Sequence, residues 1–349
     1  MWLNTGAMKG DEFDGNAQND KVSYQIKYST SMYKYVKNSR LRLAASELDG
    51  LSYFSIGYNI KDRSKMNTLD VSLSGFERKD DSDLNYLIYN DLWIPEKKNT
   101  NITVNMSHKY YYLQNNKLSG HGNIQLSLKS SSIMSDYDFA QLTLEAINRN
   151  SISGYQIHTR FFIQRGFGSN FPLESMLYAA GSNPESLMEN PFTRSRGWIP
   201  NNWTGYSNNS GTFHMGGGLN LRGFSGYYMT EPTDDGSVNI YQGTSGIAFN
   251  TEIDYTSKIP KLNYWGLSSY IFMDVGVMNE NNTTEKIAFS RPHMDLGMGF
   301  SWELSRLWDH VLDSEPLVLR VDLPLYVNHS PSTENSIKLR CIFGLNRAF

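Results

Sequence analysis

Arg222 lies in a glycine-rich segment, and the two segments that follow it carry the acidic residues Glu252 and Asp274. A guanidinium group binds a carboxylate through two parallel hydrogen bonds, so one such pair can hold a loop against a wall. Glycines beside the arginine, among them Gly223, allow positive φ angles and a close approach to that wall. We expect Arg222 to bind Asp274, with Glu252 as the second candidate; the alternative is an ordinary solvated loop arginine.

Two carboxylates on one face also suggest the acid/base pair of a hydrolase. A cationic partner explains them more economically, and the sequence shows no nucleophile or phosphate-binding motif. The single cysteine, Cys341, excludes an internal disulfide, and no Cys/His spacing resembles a zinc site. The sequence therefore predicts no catalytic residue, metal or cofactor, and Cys341 is interpreted as a lipid-facing apolar residue.

The elements that must position these side chains show an alternation of apolar and polar residues, which is typical of β-strands with one apolar face. The alternation is sharpest after residue 245, where the polar face carries Glu252, Asp274, Arg320 and Asp322. The apolar face of that region includes Ile247, Phe249, Ile253, Ile271, Met273, Val275, Met294, Leu296, Met298, Phe300, Leu319, Val321 and Leu323. The pattern predicts an all-β protein.

Composition limits the environment and the partners. The 349 residues carry a net charge of −3, which indicates no nucleic-acid partner. No stretch approaches the roughly 20 apolar residues of a membrane-spanning helix. A mean hydropathy of −0.48 is still compatible with a membrane, because the strands of a transmembrane barrel alternate lipid-facing and lumen-facing residues.

A soluble sandwich also alternates, but its apolar face needs a second sheet. Two features favour a barrel in the bacterial outer membrane. Aromatic residues at segment ends fit an interfacial girdle: Tyr110, Tyr111, Tyr112, Tyr264, Trp265, Trp302 and Trp308. The last segment, with Gly344, ends at Phe349 in phase with Phe343 and Leu345, and this resembles the sorting signal that barrels present to their insertion machinery.

We predict a transmembrane antiparallel β-barrel over residues 21–349, preceded by a polar leader over 1–20. The barrel has about twelve strands, with fourteen as the alternative, because residues 39–61 form either one bent strand or a hairpin. Residues 167–244 form a long extracellular loop that folds inward, and both termini are periplasmic. An open diffusion pore is disfavoured, since that loop would fill so narrow a barrel.

Five landmarks after residue 216 occur in an order that resembles the C-terminal barrel of the bacterial surface antigen superfamily, which includes an outer-membrane assembly insertase and the two-partner secretion translocators. They are Leu221-Arg222-Gly223-Phe224, then Phe272-Met273-Asp274-Val275-Gly276, Leu296 to Phe300, Leu319 to Leu325, and a final strand with Gly344. The resemblance implies that the Arg222 loop tip enters the barrel and meets Asp274. Members of that superfamily usually have sixteen strands and periplasmic transport domains, whereas we expect fewer strands and only a short leader here.

Residues 2–6, 137–139 and 146–150 resemble the barrel that follows aminopeptidase-type zinc metallopeptidases in Bacteroidota. Three functions therefore compete: protein translocation or membrane insertion, a passive loop-plugged anchor for an upstream or partner peptidase, and a soluble carbohydrate-binding sandwich. The barrel hypotheses imply the lipid bilayer, lipopolysaccharide and the barrel assembly machinery as partners.

Overall fold

One large sheet dominates the fold. A computed structural model describes residues 2–4, 24–32, 36–48, 50–79, 93–114, 117–132, 134–189, 213–225, 231–232, 238–239, 241–256, 267–279, 289–303, 318–329, 335–345 and 348–349. These residues form one sheet of fifteen strands and two small two-stranded sheets. Consecutive strands of the large sheet run antiparallel, except that one short strand, β11 (Phe213–Met215), runs parallel to β19 (Ile342–Leu345).

The strand order follows the chain from β1 to β9, continues from β15 to β19 and ends at β11. The first nine strands are β1 (Trp2–Asn4), β2 (Tyr24–Ser31), β3 (Ser39–Leu48), β4 (Leu51–Lys61), β5 (Asn67–Arg78), β6 (Lys98–Gln114), β7 (Lys117–Ser131), β8 (Asp138–Ile152) and β9 (Tyr155–Asn170). The last five are β15 (Gly246–Asp254), β16 (Leu267–Met278), β17 (His293–Glu303), β18 (Val318–Val327) and β19 (Ile342–Leu345).

The connection between β9 and β15 carries several short elements. They are a 3-10 turn at Leu173–Ser175, β10 (Leu177–Tyr178), the helix α1 (Pro184–Glu189), β11 (Phe213–Met215), a 3-10 turn at Arg222–Phe224, β12 (Glu231–Pro232), β13 (Val238–Asn239) and β14 (Gln242–Gly243). This long connection, residues 171–245, is called the inner loop below. It begins a few residues later than the predicted loop and contains short strands of its own, because hydrogen bonds between its segments pair β10 with β14 and β12 with β13.

One face of the sheet is apolar and exposed, whereas the other face is polar and buried. On β7, Leu128 is 48% exposed, whereas its neighbour Lys129 is only 7% exposed. The same contrast recurs along the sheet, and the exposed apolar residues include Ile26, Leu43, Ile56, Val71, Ile102, Leu126, Phe161, Phe249, Ile271, Leu296, Phe300, Leu319 and Phe343. A continuous apolar surface of this kind is suited to lipid. The alternative of a soluble sandwich is wrong, because no second large sheet covers this face in the described residues.

The polar face curls around the inner loop. Polar or apolar contacts join that loop to strands along the sheet: Met188 to β4 and β5, Glu174 to Asn99, Glu185 to Lys129, Gly218 to Arg160, Arg222 to Asp274, and His214 to Arg320. One segment can touch strands so far apart in the sheet order only if the sheet bends around it. The prediction of an all-β transmembrane-type barrel with an inward-folding loop is confirmed.

The strand count corresponds to the larger of the two predicted numbers. Fourteen strands form the antiparallel series, and β11 adds a fifteenth. Residues 39–61 are a hairpin of β3 and β4 rather than one bent strand. Three residues of the predicted leader, Trp2–Asn4, form β1 and pair with β2; residues 1 and 5–20 lie outside the described residues. No described helix has the length and apolarity of a membrane span.

The C-terminal prediction is wrong in one respect. The last strand, β19, ends at Leu345, and Phe349 is 9% exposed rather than part of an outward apolar series. The carbonyl oxygen of Phe349 accepts a hydrogen bond from Arg149 of β8 at 3.2 Å. The physical reason is that polar groups of the inner wall are available to the backbone at this end, whereas lipid offers none.

The predicted aromatic girdle is described only in part. Tyr110 and Tyr112 stack with a ring-centroid distance of 6.3 Å. Trp302 is 37% exposed on the outward face of β17. Tyr264, Trp265 and Trp308 lie outside the described residues.

Candidate functional site: the arginine cluster inside the barrel

The backbone around Arg222 is bent inward by residues in the left-handed region. Gly217, Gly218 and Asn220 have φ angles of 145°, 52° and 58°. A Cβ atom on Gly218 would lie 2.5 Å from the carbonyl oxygen of Tyr178, so glycine is required there. The backbone N–H of Leu221 donates to the carbonyl of Ala179 at 2.9 Å. The first half of the inner loop thus supports the tip.

Arg222 is fully buried and binds the two predicted carboxylates. Its Nε donates to Oδ2 of Asp274 at 2.8 Å and its Nη2 donates to Oδ1 of the same group at 3.1 Å. Its Nη1 donates to Oε1 of Glu252 at 2.6 Å. The structure therefore brings Arg222, Asp274 and Glu252 together in the forked geometry that arginine favours.

Two further carboxylates complete the environment of the loop tip. Nη1 of Arg222 lies 3.5 Å from Oδ1 of Asp322 on β18. The backbone N–H of Gly223 donates to Oδ2 of Asp295 on β17 at 3.0 Å. Four consecutive strands, β15 to β18, each contribute one acidic side chain to the tip.

Aromatic rings enclose the tip. The guanidinium carbon of Arg222 lies 3.7 Å from the ring centroid of Phe272, a cation–π contact in a dry setting. Phe224 is fully buried in an apolar cluster with Tyr241, Met278 and Val327. The ring of His293 meets Phe224 edge-on at 5.0 Å. Phe272 and Phe224, both predicted site residues, thus shield the charges from water.

Two more arginines extend the network on either side. Nη1 of Arg160 donates to Asn250 at 2.9 Å, and its Nη2 donates to the carbonyl of Gly218 at 2.8 Å. Arg320 binds Asp322 and also contacts Nδ1 of His214 at 2.8 Å. Asn250 links these groups, because its Nδ2 donates to Asp274 at 3.1 Å.

Sequence reasoning missed Arg160, Asn250, Asp295 and Asp322 as members of the site. All four belong to the inward series of their strands, and β16 places Asp274 opposite both Asn250 and Asp295. The alternation shows that such residues face inward, but it does not show which of them lie at the level of the loop tip. That level depends on strand register, which only the paired strands reveal.

The predicted C-terminal residues of β19 lie on both faces of the sheet. Phe343 is 38% exposed on the outward face, whereas Leu345 is buried opposite Leu319 of β18. Gly344 faces the inner wall, where a Cβ atom would lie 2.4 Å from Nη2 of Arg320. β11 pairs with the same strand, with Phe213 opposite Phe343.

The cluster leaves little room for a reacting molecule. A cavity of about 10 Å³ beside it is lined by His158, Glu252, Asp254, Tyr270, Ser301, Arg320 and Ala348. A space of that size holds one water molecule. Within the described residues no group of three or more His, Cys, Asp or Glu side chains has the arrangement of a metal site. The arrangement can therefore fix the loop tip by charge.

No protein-family model and no curated protein matches the chain. Solved structures with a similar fold include BamA from Haemophilus ducreyi lacking POTRA domains 1–3, at 11% identity and a TM-score of 0.45, covering 93% of this chain and 62% of that one. The chain thus spans less than two thirds of that structure.

Two other similar structures are the outer membrane protein opdK and CdiB. The match to opdK from Pseudomonas aeruginosa has 10% identity and a TM-score of 0.43, over 92% of this chain and 68% of that one. The match to CdiB from Acinetobacter baumannii has 13% identity and a TM-score of 0.34, over 93% of this chain and 56% of that one. These likenesses do not distinguish one class of barrel from another.

Proposed function

We propose that this chain is a bacterial outer-membrane barrel of the surface-antigen type that acts in protein translocation or membrane insertion, with the inner loop as its latch. The observation that carries the proposal is that one loop segment makes two contacts. β11 hydrogen-bonds to β19 at the end of the sheet, and Arg222, a few residues later, binds three acidic residues of the wall. Release of Arg222 would therefore also loosen the strand that covers the edge of β19.

Turn and loop lengths support an orientation for the proposed barrel. The inner loop leaves the sheet at one end, and the short Ser153-Gly154 turn between β8 and β9 lies at the other. Outer-membrane barrels keep short turns on the periplasmic side and long loops outside. We therefore place the C-terminal end of β19 near the periplasm, with the outward face against lipid and lipopolysaccharide and the barrel assembly machinery as the partner during insertion.

Arg222→Ala and Asp274→Ala test the latch, and Arg42→Ala is the matched control. Arg42 also binds a carboxylate, Asp70, at 2.5 Å, but its side chain is 51% exposed. We expect each latch variant to lower the free energy of unfolding by about 3–5 kcal/mol, because it leaves buried charge unpaired. The control should lose about 0–1 kcal/mol.

Planar-bilayer recordings of the same variants test the function. We expect raised conductance for both latch variants and wild-type conductance for a second control, Lys79→Ala, which breaks the exposed ion pair with Glu47. Unchanged conductance and unchanged unfolding in both latch variants would rule the latch out.

A passive anchor for an upstream or partner peptidase is the second candidate. The observation in its favour is the complete burial of Arg222 and Asp274, which suits a permanent fastening as well as a latch. The resemblance to barrels that follow metallopeptidases also supports it. Under this hypothesis, separating the barrel from the enzyme releases the enzyme with its turnover intact, whereas a large loss of intrinsic turnover contradicts it.

A further inference from the structure

The described parts of the inner loop lie unevenly inside the barrel. Its Arg222 segment packs against β9 and β15 to β18, and α1 touches only the end of the opposite side. Between the inner face of β2 to β8 and α1 remains a cavity of about 740 Å³. The expectation that the loop fills the whole barrel does not hold for the described residues, because the sheet has more than twelve strands and the described parts of the loop leave this cavity open.

The lining of this cavity is rich in neutral polar groups. Hydroxyl and amide side chains come from six strands, β2 and β4 to β8, and include Ser29, Ser55, Ser72, Thr103, Asn105 and Gln125. Hydroxyl and amide groups both donate and accept hydrogen bonds. The wall therefore matches a ligand that offers donors and acceptors in similar number over its whole surface.

Charged groups in the lining are largely paired with one another. Arg42 binds Asp70 at 2.5 Å, and Lys129 binds Glu185 of α1. Asn59 also donates to Asp70 at 3.0 Å. A charged ligand would have to compete with these pairs and lose its own hydration, which is costly.

The loop closes the cavity at the end where β4 and β7 meet α1. Met188 packs in an apolar cluster with Leu51, Phe76 and Trp93. Glu185 is held by Lys129 and by the hydroxyl of Ser175, which donates to it at 2.6 Å. The described cavity is a chamber with one end covered by α1, rather than a straight pore.

We propose that this chamber binds neutral polyhydroxylated solutes of short-oligosaccharide size. Its volume lies within the range of about 300–1,000 Å³ that is usual for small-molecule sites. Sugar hydroxyls donate and accept in the same way as the lining and leave the paired charges undisturbed. This site is independent of the Arg222 latch and of protein translocation.

Maltotriose is a suitable probe, with titration calorimetry and intrinsic fluorescence on the full chain in detergent. Ser127 and Leu128 offer a matched pair, because Ser127 lines the cavity and Leu128 faces outward. We expect saturable binding by the wild type, at least tenfold weaker binding by Ser127→Trp and unchanged binding by Leu128→Trp. Asn105→Leu, which keeps side-chain size and removes hydrogen bonds, should also weaken binding.

Three results would overturn the proposal. The first is that the folded wild type shows no saturable binding of maltotriose. The second is that Ser127→Trp and Leu128→Trp lose maltotriose affinity equally. The third is that a neutral tetrapeptide amide or anionic lactobionate binds more tightly than maltotriose. Heat-modifiable gel migration checks that each variant is folded. If Ser127→Trp does not fold, Asn105→Leu decides the outcome. Arg222→Ala should retain maltotriose binding, so failure of the latch and failure of the chamber are separable.

Discussion

At the scale of single residues, Arg222 is held by more acidic groups than one cation can neutralise. Asp274 and Glu252 bind it directly, Asp322 lies within 3.5 Å, and Asp295 binds the next backbone N–H. Arg320 binds Asp322, and Arg160 is linked to the cluster through Asn250. A buried network of this kind gives a unique position to the loop tip, because partial satisfaction of its members is costly.

Gly223 is the residue that allows the tip to approach the wall. A Cβ atom there would lie 2.6 Å from Cγ2 of Val327 and 2.7 Å from Cβ of Asp295. We expect Gly223→Ala to lower the free energy of unfolding by about 1–3 kcal/mol through overpacking. Gly57→Ala is the control, because its added Cβ would meet only the flexible end of Arg42, at 3.2 Å. Equal effects of the two substitutions in urea unfolding would contradict this explanation.

At the scale of elements, the inner loop docks at two separate places. Its second half holds the Arg222 cluster, and its first half meets β6 and β7 through Glu174 and Glu185. Oε1 of Glu174 accepts a hydrogen bond from Asn99 at 2.8 Å. The two halves are joined by backbone hydrogen bonds such as Leu221 to Ala179, so the first docking site also supports the second.

Docking of the first half should depend on pH. Burial raises the pKa of Glu174 from 4.5 to about 7, and the neighbouring Glu185 adds to the rise. The protonated form is therefore favoured in the docked loop. Its stabilising contribution is complete below about pH 4.5 and is lost as the pH rises through about 7.

We expect stability to fall by up to about 3 kcal/mol between those limits in the wild type. Glu174→Gln should remove this part of the dependence, because a neutral amide cannot titrate. Urea unfolding between pH 5 and pH 8 is the measurement. Glu77→Gln is the control, because Glu77 forms a largely exposed ion pair with Lys98. This variant should keep the wild-type dependence of stability on pH. An identical slope in Glu174→Gln and the wild type would exclude Glu174 as its source.

At the scale of the whole molecule, the outward apolar belt is what makes the chain a membrane protein. Leu126 is 40% exposed and the next residue, Ser127, lines the chamber. We expect Leu126→Lys to cost about 2–4 kcal/mol in a bilayer, because a lysine near the midplane of a barrel faces lipid. Ser127→Lys should be tolerated. Folding yield in liposomes as a function of urea measures both, and equal costs would contradict the assignment of faces.

Much of this architecture was accessible from sequence. Alternation placed Glu252 and Asp274 on the inward face and Leu296 and Phe300 on the outward face, since each strand reports its own two sides. The position of Phe349 was not accessible, because it depends on a hydrogen bond from Arg149 of β8, a residue 200 positions away in the chain.

The sequence by itself determined which residues lie on each face of the strands. It also led to the expectation that the long loop folds inward and that Arg222 pairs with Asp274. Only the tertiary structure decided that Asp295 and Asp322 share the site, that β11 pairs with β19, and that a chamber remains beside β2 to β8. The reason is physical. Side-chain alternation is local, whereas register between strands and the space left by a folded loop depend on contacts between residues far apart in the chain.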